Sequence, residues 1–325
     1  MKICLWCGRL VLALTLIWPQ HLNAKLFSLV MDAGQALCTI TSKTNSGGNK
    51  IADSESVIAD VGFDGSGANS AVEDILNVLK VHMAKGSTVI YITHPHNDHV
   101  NLIHHVINLA VTEGCKISKI FIAPSKNSCR SLSLRGEIHN CVIESNLQIP
   151  VEVCEGTGIK TITTGKTLTA LKYGVTLSKI SNNLNDASAP LVIAEESDPT
   201  NFVLITGDAN RRTLINSQCP PGYKRRDAKM ITWPHHGSIA NKEYEWLNGN
   251  QYAVVIIPST PHVPHWLPRE TALKWDKDHR TAVANLHDLP YGDRINKDIH
   301  DFPTSTNTYI TCQHPINKPY VYYFG

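Results

Sequence analysis

Thr93-His94-Pro95-His96-Asn97-Asp98-His99 is the stretch around which the rest of the sequence is organised. It follows the apolar, β-branched run 89–92 and precedes a pattern typical of a helix. Imidazole and carboxylate groups at this density are poor core residues unless a partner satisfies them. A divalent cation, most often zinc, is the simplest such partner, because it accepts histidine nitrogen and aspartate oxygen as ligands.

Two later motifs also follow apolar, strand-like runs. Gly207-Asp208 comes directly after the run 202–206, and Pro234-His235-His236-Gly237-Ser238 follows a short strand at 229–232. Open sheets gather their sites where strands end, so we expect these motifs to meet the first stretch at one edge. The predicted metal ligands are His94, His96, Asp98, His99, Asp208 and His236.

The ligands divide into two cation positions. His94 and His96 share one cation, Asp98 and His99 reach the neighbouring position, and Asp208 is the natural bridge. Such an arrangement suits hydrolysis, because two cations hold both the attacking and the leaving oxygen. We therefore predict two Zn²⁺ ions per chain, with Mn²⁺ as the alternative.

The pair His235-His236 leaves two assignments open. We prefer His236 as the ligand, and the other histidine then orients substrate or donates a proton to the leaving group. The predicted catalytic residues are accordingly Asp98 and His235. The first cation lacks an evident third histidine, since His139, His104 and His105 are the only candidates between residues 100 and 207.

Asp60 ends another apolar run, beside Gly62. A carboxylate there suits the support of a metal ligand. Taken alone, a turn-forming aspartate is the simpler interpretation.

Strands and helices mix throughout the chain, which favours one α/β domain of packed sheets flanked by helices. The clearest helix covers 70–85, while 124–160 has a composition typical of loops. A short helix is predicted over 269–275. The runs 308–312 and 320–324 predict a final hairpin.

Residues 1–24 have the pattern of a signal peptide. Lys2 and Arg9 supply positive charge, an apolar core follows, and Leu22-Asn23-Ala24 is a small-residue cleavage site. An uncleaved amino-terminal anchor is the alternative. We expect an exported protein, periplasmic or secreted, with no membrane segment beyond the leader and the mature domain over 25–325.

The charge balance is nearly even, with 30 Lys and Arg against 28 Asp and Glu. The leader holds two of the basic residues and no acidic one, which leaves 28 of each in the mature chain. A neutral protein has no global field that draws in nucleic acid. A polyanionic substrate would therefore need a local basic patch.

Seven of the nine cysteines lie beyond the leader: Cys38, Cys115, Cys129, Cys141, Cys154, Cys219 and Cys312. Export makes disulfides plausible, and the odd count leaves at least one thiol outside any pairing within the chain. Buried, unpaired cysteine is the alternative for each.

The three motifs together resemble those of the metallo-β-lactamase superfamily. The nearest branch is the hydrolase domain of ComEC-type DNA-uptake proteins, whose D-V-G-Q-G and D-x-G motifs are similar to 31–36 and 60–62 here. The resemblance covers about residue 26 to the carboxyl terminus and implies a four-layer αβ/βα sandwich with metals at one edge. This chain departs from the pattern at Ala36, and at Val100-Asn101-Leu102 where the family usually has glycines.

The resemblance implies an exported metal-dependent hydrolase of phosphodiester bonds, with a nucleic acid or a small molecule as substrate. One alternative is a lactone, thioester or β-lactam hydrolase on the same scaffold. Another is a metal-binding or sensing protein without turnover, which the substitutions after His99 motivate. The sequence indicates no protein partner.

Overall fold

The computed structural model describes residues 25–44, 55–64, 71–123, 128–154, 158–175, 184–238, 246–247, 254–258, 308–310 and 320–324. In chain order these residues form β1 (Lys25–Met31), β2 (Cys38–Thr44), β3 (Glu55–Val61), α1 (Val72–His82), β4 (Ser87–Ile92), α2 (Ile103–Glu113), β5 (Ile117–Ile122), α3 (Ser128–Glu144), β6 (Val151–Val153), β7 (Lys160–Thr164), β8 (Leu168–Lys172), β9 (Leu191–Glu195), β10 (Asp198–Ile205), α4 (Arg211–Asn216), β11 (Met230–Thr232), β12 (Val254–Ile257), β13 (Thr308–Ile310) and β14 (Tyr320–Phe324).

The strands form two seven-stranded sheets of the same design. The first has the order β14-β1-β2-β3-β4-β5-β6 and the second β13-β12-β11-β10-β9-β8-β7. In the first sheet β14, β1, β2 and β3 pair antiparallel, and β3 to β6 pair parallel. In the second, β7 to β10 are antiparallel and β10 to β13 are parallel.

Both faces of the central strands are buried, which explains why their sequences are continuous apolar runs rather than alternating ones. Ile58 and Ile90 point into the core beneath α1, α2 and α3. Their neighbours Val57 and Val89 point to the other face, into the core between the two sheets. Behind the second sheet, Trp233 and Leu214 of α4 belong to a third core. The predicted α/β class and the four-layer αβ/βα sandwich are confirmed.

Two helices flank the first motif, with α1 inside the predicted range 70–85 and α2 following the motif as expected. In α1 the Asp74 carboxylate accepts a hydrogen bond of 2.8 Å from the backbone N–H of Ala71, which satisfies a free donor at the amino terminus. Gly114 ends α2 in the left-handed conformation, with φ 63°. Between these helices, β4 carries the chain to its buried carboxyl end.

The prediction of loops over 124–160 is wrong for 128–144, because those residues form α3. Its buried positions, Ser131, Leu134, Ile138, Cys141 and Val142, do recur at helical spacing. Serine and cysteine among them weakened the apolar pattern that identifies a helix.

The predicted final hairpin is also wrong, although both of its strands exist. β13 pairs in parallel with β12 in the second sheet, and β14 pairs antiparallel with β1 in the first. The predicted helix over 269–275 lies outside the described residues.

No helix among the described residues is long and apolar enough to cross a membrane. The cysteines that the structure describes carry free thiols: Cys38, Cys115, Cys141, Cys154 and Cys219.

Candidate metal centre

The polar motifs meet where three strands end, one in the first sheet and two adjacent strands in the second. β4 leads into Thr93 and His94, and a 3₁₀ turn over Asn97–His99 follows. In the second sheet, β10 leads into Asp208 and β11 leads into the turn Pro234–Gly237. The backbone N–H of His235 donates to the carbonyl of Gly207 at 3.1 Å, which joins the last two motifs.

Four side chains form the first ligand group: Asp98, His99, Asp208 and His236. Their ligand atoms all lie within 4.8 Å of one another. Asp208 Oδ1 is 3.2 Å from His99 Nε2 and 3.0 Å from His236 Nε2. Asp98 is the open member of the group, since its side chain is 36% exposed whereas that of His99 is 0% exposed.

The second ligand group consists of His94, His96 and Asp208, whose ligand atoms also lie within 4.8 Å of one another. His94 Nε2 is 3.8 Å from Asp208 Oδ2 and 3.0 Å from His96 Nδ1. Asp208 thus presents one oxygen to each group. A carboxylate shared in this way is the arrangement expected of a bridge between two cations.

The chemistry of these atoms fits a divalent cation. His99 Nε2, His236 Nε2 and Asp208 Oδ1 are buried and make no hydrogen bond within the described part of the chain, although they lie close together. Buried polar atoms without partners are costly, and a cation satisfies all three at once. Imidazole and carboxylate are ligands that zinc accepts.

Hydrogen bonds from behind orient the histidines. Asp60 Oδ2 lies 2.7 Å from His99 Nδ1, and the carbonyl oxygen of Pro258 lies 2.7 Å from His236 Nδ1. A carbonyl oxygen or an ionised carboxylate only accepts, so each Nδ1 carries the proton and each Nε2 has its lone pair directed at the centre. The sequence identified Asp60 as either a supporting carboxylate or a turn residue, and its contacts are those of the former.

Asp60 is itself held by a short network. Its Oδ1 accepts a 2.7 Å hydrogen bond from the backbone N–H of Thr93, and its Oδ2 accepts one of 2.7 Å from the Thr93 hydroxyl. The Thr93 hydroxyl proton is thereby committed, so its oxygen accepts from His94 Nδ1 at 3.2 Å. One carboxylate therefore orients histidines of both ligand groups.

Burial and charge shift the pKa values of the centre in opposite directions. Burial lowers the pKa of His99, but the nearby Asp208 and Asp60 carboxylates outweigh it and hold that pKa well above its usual range. Burial raises the pKa of Asp208, but His236, His99 and His235 bring it well below its usual range. Burial, followed by the charge of His99, keeps the pKa of His94 well below normal.

Two glycines permit the close approaches that the centre requires. A Cβ on Gly62 would lie 1.6 Å from the carbonyl oxygen of Asp98. A Cβ on Gly207, whose φ is +55°, would lie 2.4 Å from the Thr93 hydroxyl. Any larger residue at either position would displace the ligand segments.

His235 lies beside the centre and belongs to neither ligand group. Its Nε2 is 3.8 Å from Asp208 Oδ2 and 3.0 Å from Asn185 Nδ2. His235 and His236 both have left-handed backbone conformations, with φ 51° and 52°, a strained arrangement for residues other than glycine. Asn185 was not among the residues that the sequence indicated for the site, and no sequence pattern indicated its contact with His235.

All seven residues that the sequence singled out for the site are brought together, and their individual roles stay predictions. His139, His104 and His105 are exposed on α3 and α2 and belong to neither ligand group among the described residues. No third histidine therefore joins His94 and His96 within that part of the chain.

The fold is the metallo-β-lactamase fold. A crystal structure of the metallo-β-lactamase fold protein YhfI from Bacillus subtilis is similar to it, with a TM-score of 0.50 and 12% sequence identity over 92% of this chain and 100% of that chain. A diphosphatase of the PhnP family matches with a TM-score of 0.43 and 11% identity, over 76% of this chain and 91% of that one. A long-form RNase Z from yeast matches with a TM-score of 0.44 and 12% identity, over 77% of this chain and 40% of that one. No family model and no curated protein matches the sequence.

Proposed function

We propose that this protein is an exported, metal-dependent hydrolase whose two-metal centre acts on phosphodiester bonds. One observation carries the proposal: Asp208 belongs to both ligand groups and presents a separate oxygen to each. A single structural ion would need only one group. The resemblance of the sequence motifs to ComEC-type hydrolase domains supports a phosphodiester substrate, such as a nucleic acid, over other esters.

The ligand groups would hold two Zn²⁺ ions, or Mn²⁺ in their place. When bound, such cations activate water and neutralise negative charge that develops on the reacting oxygens. Asp98 is the partly exposed ligand of the first group, and substrate would approach from its side. His235, which is 23% exposed beside Asp208, is placed to donate a proton to the leaving oxygen.

Export is part of the same proposal. The predicted leader, residues 1–24, lies outside the described residues, and β1 begins at Lys25. Cleavage after Ala24 would thus leave every described strand and helix intact. Amino-terminal sequencing of protein from the periplasm or medium should give Lys25 as the first residue, and an intact leader would support an anchored protein instead.

The test of function combines metal analysis with a substrate panel. The purified mature chain should contain about two metal ions, as a two-metal site requires, and should hydrolyse bis(p-nitrophenyl) phosphate. The Asp208→Asn variant should lose both metals and lower kcat/KM by at least about a hundredfold, because the bridge serves both positions. His139→Gln, which changes an exposed histidine of α3, is the control and should retain metal and activity.

The panel also separates the alternatives. If the protein hydrolyses a lactone, thioester or β-lactam but no phosphodiester, the proposed metal centre stands and the proposed substrate class is wrong. A natively metal-free protein without turnover would support a binding or sensing role.

A further inference from the structure

Arg130 is a cationic side chain that is hydrogen-bonded to the backbone between His94 and His96. It lies in the first turn of α3, and its Nε donates a 3.3 Å hydrogen bond to the carbonyl oxygen of Pro95. Pro95 stands between His94 and His96, two members of the second ligand group. Among the described residues, the contact through Nε is the one that holds the guanidinium next to the candidate metal centre.

Within the part of the chain that the structure describes, the remaining N–H groups of Arg130 have no partner and can bind a ligand. Arginine has five donors, and one is used by Pro95. No carboxylate in the described part of the chain forms an ion pair with Arg130, and the residue is exposed.

Arg135 shows that this placement is not a general feature of α3. It is also exposed and also donates its Nε to a backbone carbonyl, that of Val151 at 3.1 Å. Val151 begins β6, so the contact lies at the end of the parallel strands opposite the ligands. The two arginines thus make the same kind of backbone hydrogen bond, but of the two only Arg130 lies beside the centre.

We propose that Arg130 binds the non-bridging oxygens of a phosphoryl group held at the centre, and so selects anionic phosphate esters over neutral esters. A guanidinium presents parallel N–H donors that match two phosphate oxygens, which a neutral ester does not offer. The inference deepens the proposed function and rests on it for the substrate class. It also supplies local positive charge at the centre, which a polyanionic substrate requires of a chain without net charge.

The direct test is binding of inorganic phosphate to the zinc-loaded full-length mature protein, measured by calorimetry. Arg130→Gln should weaken phosphate binding about tenfold, the effect of losing a charge-assisted hydrogen bond, with unchanged metal content. Arg130→Lys should recover part of the affinity, because lysine restores the positive charge but not the parallel N–H donors of the guanidinium. Arg135→Gln should bind phosphate as the wild type does.

Kinetics provide the second readout. Arg130→Gln should lower kcat/KM for bis(p-nitrophenyl) phosphate, mainly through KM, about tenfold more than for neutral p-nitrophenyl acetate. Equal losses on both esters, or phosphate affinity equal to that of Arg135→Gln, would overturn the inference, as would a wild type that binds no phosphate. If phosphate binding depends on Arg130 but no phosphodiester is hydrolysed, the proposed function fails and the anion site stands.

Discussion

Asp60 is the residue on which the orientation of the ligands depends. It is fully buried and contacts His99 and Thr93, and through the Thr93 hydroxyl it fixes the proton of His94. Burial raises its pKa, and the neighbouring His99 opposes that rise. A supporting carboxylate of this kind influences metal affinity without touching the metal.

Replacing Asp60 by Asn should therefore weaken metal binding by about 10- to 100-fold. The amide cannot accept at both of its terminal atoms, so one of the His99 and Thr93 contacts is lost. Competition with a chromophoric chelator measures the affinity. Asp64→Asn, at an exposed aspartate in the following loop, should leave the affinity unchanged, and an equal loss in both variants would contradict the role given to Asp60.

The lowered pKa of His94 predicts how the metal-free protein responds to acid. The folded state resists protonation of His94, whereas the unfolded chain protonates near pH 6.5, so stability falls as the pH drops below about 6.5. His99 has the opposite shift. Its contribution is complete below pH 6.5 and is lost only as the pH rises through its raised pKa, so it does not cause the acid loss.

Urea unfolding of chelator-treated protein between pH 7 and 5 measures the effect. Each proton excluded from the folded state contributes a slope of up to about 1.4 kcal/mol per pH unit. His94→Gln should have a shallower slope than the wild type over this range. Identical slopes would show that His94 is not the group that resists protonation.

At the scale of the elements, the carboxyl end of β3 must pass very close to the 3₁₀ turn that bears Asp98. Gly62→Ala should displace that turn, because its Cβ would overlap the Asp98 carbonyl. We expect a destabilisation of about 1–3 kcal/mol together with a loss of metal. Gly136→Ala is the control, since its Cβ meets nothing within 4 Å and alanine should stabilise α3 by about 0.5–1 kcal/mol. Thermal unfolding and metal content together separate the two outcomes.

Those elements whose local sequence decides their conformation were predictable. The apolar carboxyl halves of β4 and β10 lead directly into polar ligands. The α3 helix was missed because its buried face includes Ser131 and Cys141. The partners of β13 and β14 could not be predicted, because neighbours in sequence join different sheets.

The same distinction applies to the site. The ligands were predictable from the high density of histidine and aspartate at the ends of apolar runs, since such residues need a common partner when they are buried. Asn185 and Arg130 reach the centre only through tertiary contacts, with His235 and Pro95 respectively. A single sequence contains no pattern that records such contacts.

Across the whole molecule, the two sheets are joined by ionic contacts far from the metal ligands. Lys43 of β2 lies 2.6 Å from Glu195 of β9, with both side chains 11% exposed. Glu55 begins β3, and its carboxylate accepts hydrogen bonds from the backbone N–H groups of the segment 166–168 between β7 and β8. Asp60 stands near the other end of the same strand, so β3 links a structural contact to the candidate centre.

Glu55→Gln should therefore lower stability and leave the centre unchanged. Burial raises the pKa of Glu55, but the backbone N–H groups lower it further, so its contribution is present above about pH 4.3 and is lost as the pH falls through its lowered pKa. At pH 7 we expect a loss of about 1–3 kcal/mol in urea unfolding, because the amide retains only one accepting atom. Metal content and KM should not change.

Combining Glu55→Gln with Asp60→Asn tests whether the two ends of β3 are independent. The residues are five apart on an extended strand, a separation of about 17 Å. Effects of mutations at such a distance usually add within about 0.3–0.5 kcal/mol. The double variant should show the stability loss of the first change and the metal affinity of the second. A coupling well above that limit would mean that β3 transmits strain from the joint between the sheets to His99, so that packing of the sheets, and not only Asp60, sets the orientation of the ligands.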